Sequence, residues 1–240
     1  MSLYFALLLA IAQKDKMTQA NYLHPFQNQL AKGAFVLLIL IYTAGVIGLA
    51  FPASRALFQD LTPFSLWTST LLLILFQENK DRSFLLFAII TFLVGYFSEV
   101  LGVHTGLIFG DYSYGATLGF KLWEVPILIG ANWLILVLAS GYLANSFPIA
   151  TWLKPIIAAL LMVGLDVLIE PVAVYFDFWS WAGGSIPLKN YIGWFAISLI
   201  LQILFFKLPF TKYNFLAGKV FFIQLFFFLI LRLLILFIGN

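Results

Sequence analysis

The chain of 240 residues has no cysteine, which excludes disulfides, zinc–cysteine sites, iron–sulfur clusters and thiol catalysis together. It has two histidines, His24 and His104, too few for a multi-histidine metal centre. Charged residues make up 10% of it, where about 25% is usual for a soluble domain. So little charge cannot cover a soluble surface. Disorder is excluded too, because it needs low hydrophobicity and high net charge. The net charge of +3 balances 13 basic against 10 acidic residues, so there is no nucleic-acid footprint. No G-x-S-x-G, H-E-x-x-H or P-loop motif is present. The aspartate-rich magnesium motif of membrane prenyltransferases is also missing. No lysine sits at mid-span where a retinal protein would need one.

What is abundant is apolar surface: 63% of residues are hydrophobic and the mean hydropathy is +1.03. About 20 apolar residues cross a bilayer core. Seven runs qualify: Gly33–Phe51, Pro63–Phe76, Phe84–Val103, Trp123–Ala144, Leu153–Phe176, Tyr191–Phe206 and Phe215–Ile238. The second is short and borrows from Phe58–Thr62. None alternates with period two, so the fold expected is an all-α integral membrane protein, about seven transmembrane helices in one bundle. Residues 1–32 form an N-terminal segment and 33–240 the membrane domain. Met1–Ala12 is apolar but half a span long and lacks a basic leader, so an interfacial helix is expected rather than a cleaved signal. Nine lysines and arginines fall on one side of this arrangement and three on the other. The N-terminus is therefore expected in the cytoplasm.

The ionisable residues are not scattered. Glu99, His104, Asp111, Lys121, Glu124, Asp166, Glu170, Asp177 and Lys189 all fall in the outer half, and Arg232 alone lies inside the last span. Each such group costs about 2.5–3.5 kcal/mol on insertion scales and needs a reason. Asp166 and Glu170 share a helix face, about 15 and 9 Å below the end of their span. Two carboxylates that close should not both ionise, so one is expected to hold its proton, as a general acid must. The competing reading is an ion pair with Lys121, Lys189 or Arg232. Glu99 and His104 are five apart: a second acid–base pair around water, or an interfacial histidine. Pro171 and Pro126 stand beside carboxylates, and Pro171 frees the carbonyl of Val167. Broken helices at membrane depth line cavities. Gly102, Gly106 and Gly110 form overlapping G-x-x-x-G patterns, read as helix packing or as a re-entrant loop. Tyr112, Tyr114, Trp123, Trp179, Trp181 and Trp194 suit an interfacial belt or an aromatic wall able to stabilise a carbocation.

Several segments together resemble one family. They are Ser98–Gly106, Phe109–Tyr114, Trp123–Pro126, Asp166–Ala173, Trp179–Trp181 and Ile186–Trp194. They are similar to the membrane carotenoid-biosynthesis proteins, which include carotenoid 1,2-hydratases and bisanhydrobacterioruberin hydratases. The resemblance implies a multi-pass protein of a bacterial or archaeal cell membrane that adds water across the terminal C1–C2 double bond of an acyclic carotenoid end. The product is a tertiary alcohol. No cofactor or metal is expected. The partners implied are a lipophilic carotenoid, water, the bilayer and other enzymes of the pathway. A carboxyl protonates C2, water attacks C1, and a base takes the proton. Asp166 and Glu170 are the expected proton donors, with Glu99 and His104 around the water. Asp111, Tyr112, Tyr114, Lys121, Trp123, Glu124, Trp181, Asn190 and Trp194 are the expected substrate-binding residues. Two other functions stay open: an end-group cyclase, which begins with the same protonation, and a proton-coupled transporter, which uses intramembrane carboxylates but usually shows paired repeats.

Overall fold

Apolar runs closed by proline, glycine and polar stop signals become helices here. The structure, a computed structural model, describes residues 29–238; the stretch Met1–Ala12, expected at the interface, lies outside them. Residues from Leu38 onward form one compact unit, and the site lies wholly within it. The helices are α1 (Gln29–Ala50), α2 (Pro52–Asp60), α3 (Thr62–Leu75), α4 (Arg82–Thr105), α5 (Leu128–Asn145), α6 (Lys154–Tyr175), α7 (Leu188–Lys207) and α8 (Ala217–Ile238). Among the described residues six helices are long and apolar enough to cross a membrane, and α3 is a shorter apolar one. The protein is thus an all-α membrane protein. Of Phe58–Thr62 only Thr62 joins the second span: Leu61 ends α2 and starts α3.

Local chemistry sets the ends. Asp81 caps α4 by accepting the amide of Phe84 at 2.8 Å, satisfying a donor the helix leaves free. Gly106 ends α4 in the left-handed region with φ 62°, which a side chain would resist. The G-x-x-x-G series is therefore no packing face beyond Gly102. Pro171 does not break α6, which continues to Tyr175. The carbonyl it frees, that of Val167, accepts Arg232 Nη1 at 2.8 Å. This gives Arg232, the charge deep inside α8, its task.

The fourth span starts later than the hydropathy suggests, at Leu128. The preceding residues form a hairpin of β2 (Lys121–Leu122) and β3 (Val125–Pro126). Trp123 and Glu124 are its turn residues, both at positive φ, the requirement of a tight two-residue hairpin. A second ribbon pairs β1 (Tyr112–Tyr114) with β4 (Trp179–Trp181) antiparallel, with Tyr112 opposite Trp181 and Tyr114 opposite Trp179. It ties the α4–α5 loop to the α6–α7 loop. Helix α5 sits at the centre, packed on α3, α4, α6, α7 and α8.

Candidate active site

Strand periodicity builds the roof of the site. Along β1 and β4 alternate side chains point to opposite faces. Tyr112, Tyr114, Trp179 and Trp181 are buried, whereas Ser113 and Ser180 point away and lie 3.3 Å apart. Beneath the four rings lie three carboxyl groups, Glu99 on α4 and Asp166 and Glu170 on α6, each at most 3% exposed.

Each carboxyl group has its own set of partners. Glu99 Oε2 accepts the hydroxyls of Tyr112 at 2.5 Å and Tyr114 at 2.8 Å, and Oε1 accepts Trp133 Nε1 at 3.0 Å. Glu170 Oε2 accepts Trp179 Nε1 at 3.0 Å and Trp181 Nε1 at 2.8 Å, and Oε1 accepts Asn190 Nδ2 at 3.0 Å. The same Asn190 nitrogen donates to Asp166 Oδ2 at 2.9 Å, while Asp166 Oδ1 has no partner. Burial, and then the neighbouring Glu99, push the Tyr112 and Tyr114 phenols well above their usual range, so both stay neutral.

Packing holds these groups still. Trp133 and Trp194 stack with centroids 4.3 Å apart. Trp133 fits against Gly95, where an added Cβ would lie 2.4 Å from its Cβ. Gly102 leaves the space that the Tyr112 hydroxyl and the Phe109 ring occupy: a Cβ there would come within 2.9 and 2.7 Å of them.

Two cavities meet at this point. A small void of about 20 Å³ is lined by Glu99, Glu170, Asn190 and the surrounding rings, which is room for about one water molecule. A larger, mostly apolar cavity of about 340 Å³ runs among α1, α2, α3, α5 and α8. Ile129, Asn132 and Trp179 line both. A buried acid–base chamber the size of a water thus adjoins a greasy channel, an arrangement suited to proton transfer onto a lipophilic molecule. Among the described residues no group of three or more histidines, cysteines or carboxylates could hold a metal.

The model of one protein family, described as carotenoid biosynthesis protein, matches residues 63–239. The chain belongs to that family. It is also similar to bisanhydrobacterioruberin hydratase from Haloarcula japonica, 27% identical over 126 residues, a stretch covering 47% of this chain and 41% of that relative. The chain therefore matches less than half of that relative's length. No solved structure matches. Family membership gives the chain a role in carotenoid biosynthesis.

Set against the residues expected from sequence, this carotenoid-biosynthesis chain brings Glu99, Asp166, Glu170, Tyr112, Tyr114, Trp181, Asn190 and Trp194 together. It leaves others outside. His104 does not join Glu99: five residues along α4 turn it about 140° away, and its half-exposed ring lies 3.8 Å from the exposed Glu124 carboxylate. Trp123 is exposed at the hairpin tip, its ring beside Phe97. Asp111 is exposed, its carbonyl accepting the Ala182 amide. The ion pairs considered for Asp166 and Glu170 are not formed. Lys121 donates to the Tyr114 carbonyl at 2.5 Å, Lys189 to that of Gly106 at 2.8 Å, and Arg232 to that of Val167. The lysines fasten the roof rather than neutralise the acids. Sequence reasoning passed over Trp133 and Asn132 on α5 and left Trp179 to the interfacial belt. A tryptophan deep in a span was the available signal, because its N–H needs a partner when buried.

Proposed function

We propose that the chain hydrates the terminal C1–C2 double bond of an acyclic carotenoid end, giving a tertiary alcohol. The observation that carries this reading is the water-sized void between Glu99 and Glu170, opening beside an apolar cavity. The apolar cavity takes the polyene end, and the void supplies the water.

The division of labour follows from partner chemistry. Glu170 is met only by N–H groups, two indoles and an amide. These can donate but not accept, which is the surrounding of a carboxylate. Glu99 is met by two phenol hydroxyls, which can donate to a carboxylate or turn and accept from a carboxylic acid. Glu99 therefore delivers the proton and Glu170 receives one. This reverses the assignment expected from the spacing of Asp166 and Glu170. Asp166 orients Asn190.

In the reaction the Glu99 carboxyl proton goes to C2, the π electrons form the new C–H bond, and C1 becomes a tertiary cation. Ring faces of Tyr114 and Trp179 stabilise that charge. The water oxygen attacks C1 and its surplus proton goes to Glu170. Transfer back to Glu99 through the next water resets the pair. Carbon is neither oxidised nor reduced overall.

The test is expression in cells that make lycopene, with part of the water labelled with ¹⁸O. A product heavier by one water and carrying the label supports hydration. A cyclised isomer without label would establish the cyclase reading, and no modified carotenoid at all would overturn both.

A further inference from the structure

Asn132 stands apart within α5. From Leu128 to Tyr142 it is the one residue that is not buried. Its side chain is open because it lines both the water-sized void and the apolar cavity. Unlike the amides of Asn190 and Gln202, its amide makes no hydrogen bond to any described residue. An asparagine carries one acceptor oxygen and two N–H donors. Leaving all of them unused between two cavities at membrane depth is costly unless a ligand takes them up.

Counting acceptors says what the ligand is. A carboxylate has about four acceptor positions. Glu170 uses three of them on Trp179, Trp181 and Asn190, leaving one on Oε1. A water in the void can give one hydrogen to that position. Its second hydrogen needs another acceptor, and Asn132, whose amide carries one, borders the same void. With both hydrogens engaged, the water's lone pairs are free to face the apolar cavity that Asn132 also borders, where C1 would lie.

We infer that Asn132 binds the nucleophilic water and aims it at the carbocation, so that it decides whether the cation is captured or reverts. This rests on the hydratase reading above. Asn132 makes no hydrogen bond to Glu99 and acts on the water, so protonation of the alkene by Glu99 does not need it. Without it the cation still forms, and C2, which then bears both its original hydrogen and the delivered one, loses either to regenerate the alkene; loss of the original leaves the solvent's hydrogen isotope in the substrate.

The experiment uses the full chain in membranes, an acyclic carotenoid and D₂O, with mass spectrometry of both product and recovered substrate. Wild type should give mostly hydrated product. Asn132→Leu should keep exchanging deuterium into recovered substrate while hydrating less. The ratio of exchange to hydration should rise about tenfold or more, the worth of one hydrogen bond to a buried group. Asn132→Ser, which restores a small acceptor, should recover part of the hydration, and it serves as the reading variant if the leucine form fails to insert. An unchanged ratio in a folded variant overturns the assignment. Equal loss of exchange and hydration does so too, because it would place Asn132 with the acid or the substrate. A wild-type chain that exchanges deuterium and never hydrates would instead overturn the hydratase reading itself.

Discussion

Replacing each glutamate by glutamine separates the two carboxyl sites by stability as well as by activity. Glu99→Gln puts an NH₂ group where one oxygen was. Its oxygen can face Trp133 Nε1, and its nitrogen can face the Tyr112 and Tyr114 hydroxyls, which rotate to accept. Every group keeps a partner. Glu170→Gln has no such solution. Trp179 and Trp181 donate to one oxygen and Asn190 to the other, so whichever way the amide lies, its nitrogen faces an N–H. At least one hydrogen bond is lost and one donor is stranded, a cost of about 1–3 kcal/mol. In a chain of this size each kcal/mol moves the melting temperature by roughly 2–4 °C. Thermal unfolding in detergent should therefore place Glu99→Gln within a few degrees of wild type and Glu170→Gln clearly below it. Both should lose hydration by about 10²–10⁴-fold, the usual worth of a general acid or base. If Glu170→Gln melts as high as Glu99→Gln, the argument from one-way donors is wrong. If either folded variant keeps hydrating, its proton-transfer role is wrong.

Gly102→Ala pushes a methyl into the Tyr112 hydroxyl and the Phe109 ring, so hydration should fall about tenfold or more while the membrane-inserted yield falls less; equal losses would argue against a part for Tyr112 in positioning Glu99. Arg232→Met strands the Val167 carbonyl and should cost about 1–3 kcal/mol, whereas in a Pro171→Ala background residue 171 regains an N–H for that carbonyl and the cost should shrink. Additive melting shifts in that double-mutant cycle would refute the link. The raised phenol values at Tyr112 and Tyr114 give a contribution complete below about pH 10, the unfolded value, and lost as pH rises above it, because only the unfolded phenols ionise. Unfolding measured against pH should steepen there, and Tyr112→Phe should flatten it. Reporter fusions at the Lys80–Arg82 loop and at the C-terminus should report opposite sides, since the five long helices α4 to α8 lie between them; the same side from both would break the topology.

Much of this was legible in the chain because water and hydrocarbon sort residues so strongly. The helices follow from apolar length, and Asp166 and Glu170 stood out because a carboxyl in a span needs an explanation. Asn190 and Trp194 were visible through the family resemblance. The rest depended on contacts distant in sequence. Tyr112-Ser113-Tyr114 and Trp179-Ser180-Trp181 share an aromatic–serine–aromatic alternation, a period-two signal, but three residues are too few to declare a strand before its partner is known. Trp133 looked like any other large apolar residue in a span until Glu99 met its indole. His104 misled because a spacing of five turns it about 140° around α4 from Glu99, onto another face. The borders of α5 were misjudged because Trp123 and Val125 are apolar, although the pair Trp123 and Glu124 makes a tight turn.

The central place of α5 bears on how the protein is made. Synthesis delivers α3 and α4 before it, yet α6, α7 and α8, which also wrap it, arrive afterwards. During that interval the nascent helix has to rest in the bilayer with Ser140 still lacking Gln202 of α7, while Glu99, already inserted on α4, has the Trp133 indole within reach. An early bond between Glu99 and Trp133 would hold α4 and α5 together as a waiting pair, onto which the later helices fold. Ribosome-bound chains ending before Lys154 should then already protect the α4–α5 pair from crosslinking to lipid, and changing Trp133 to phenylalanine should remove that protection before any enzyme exists to assay.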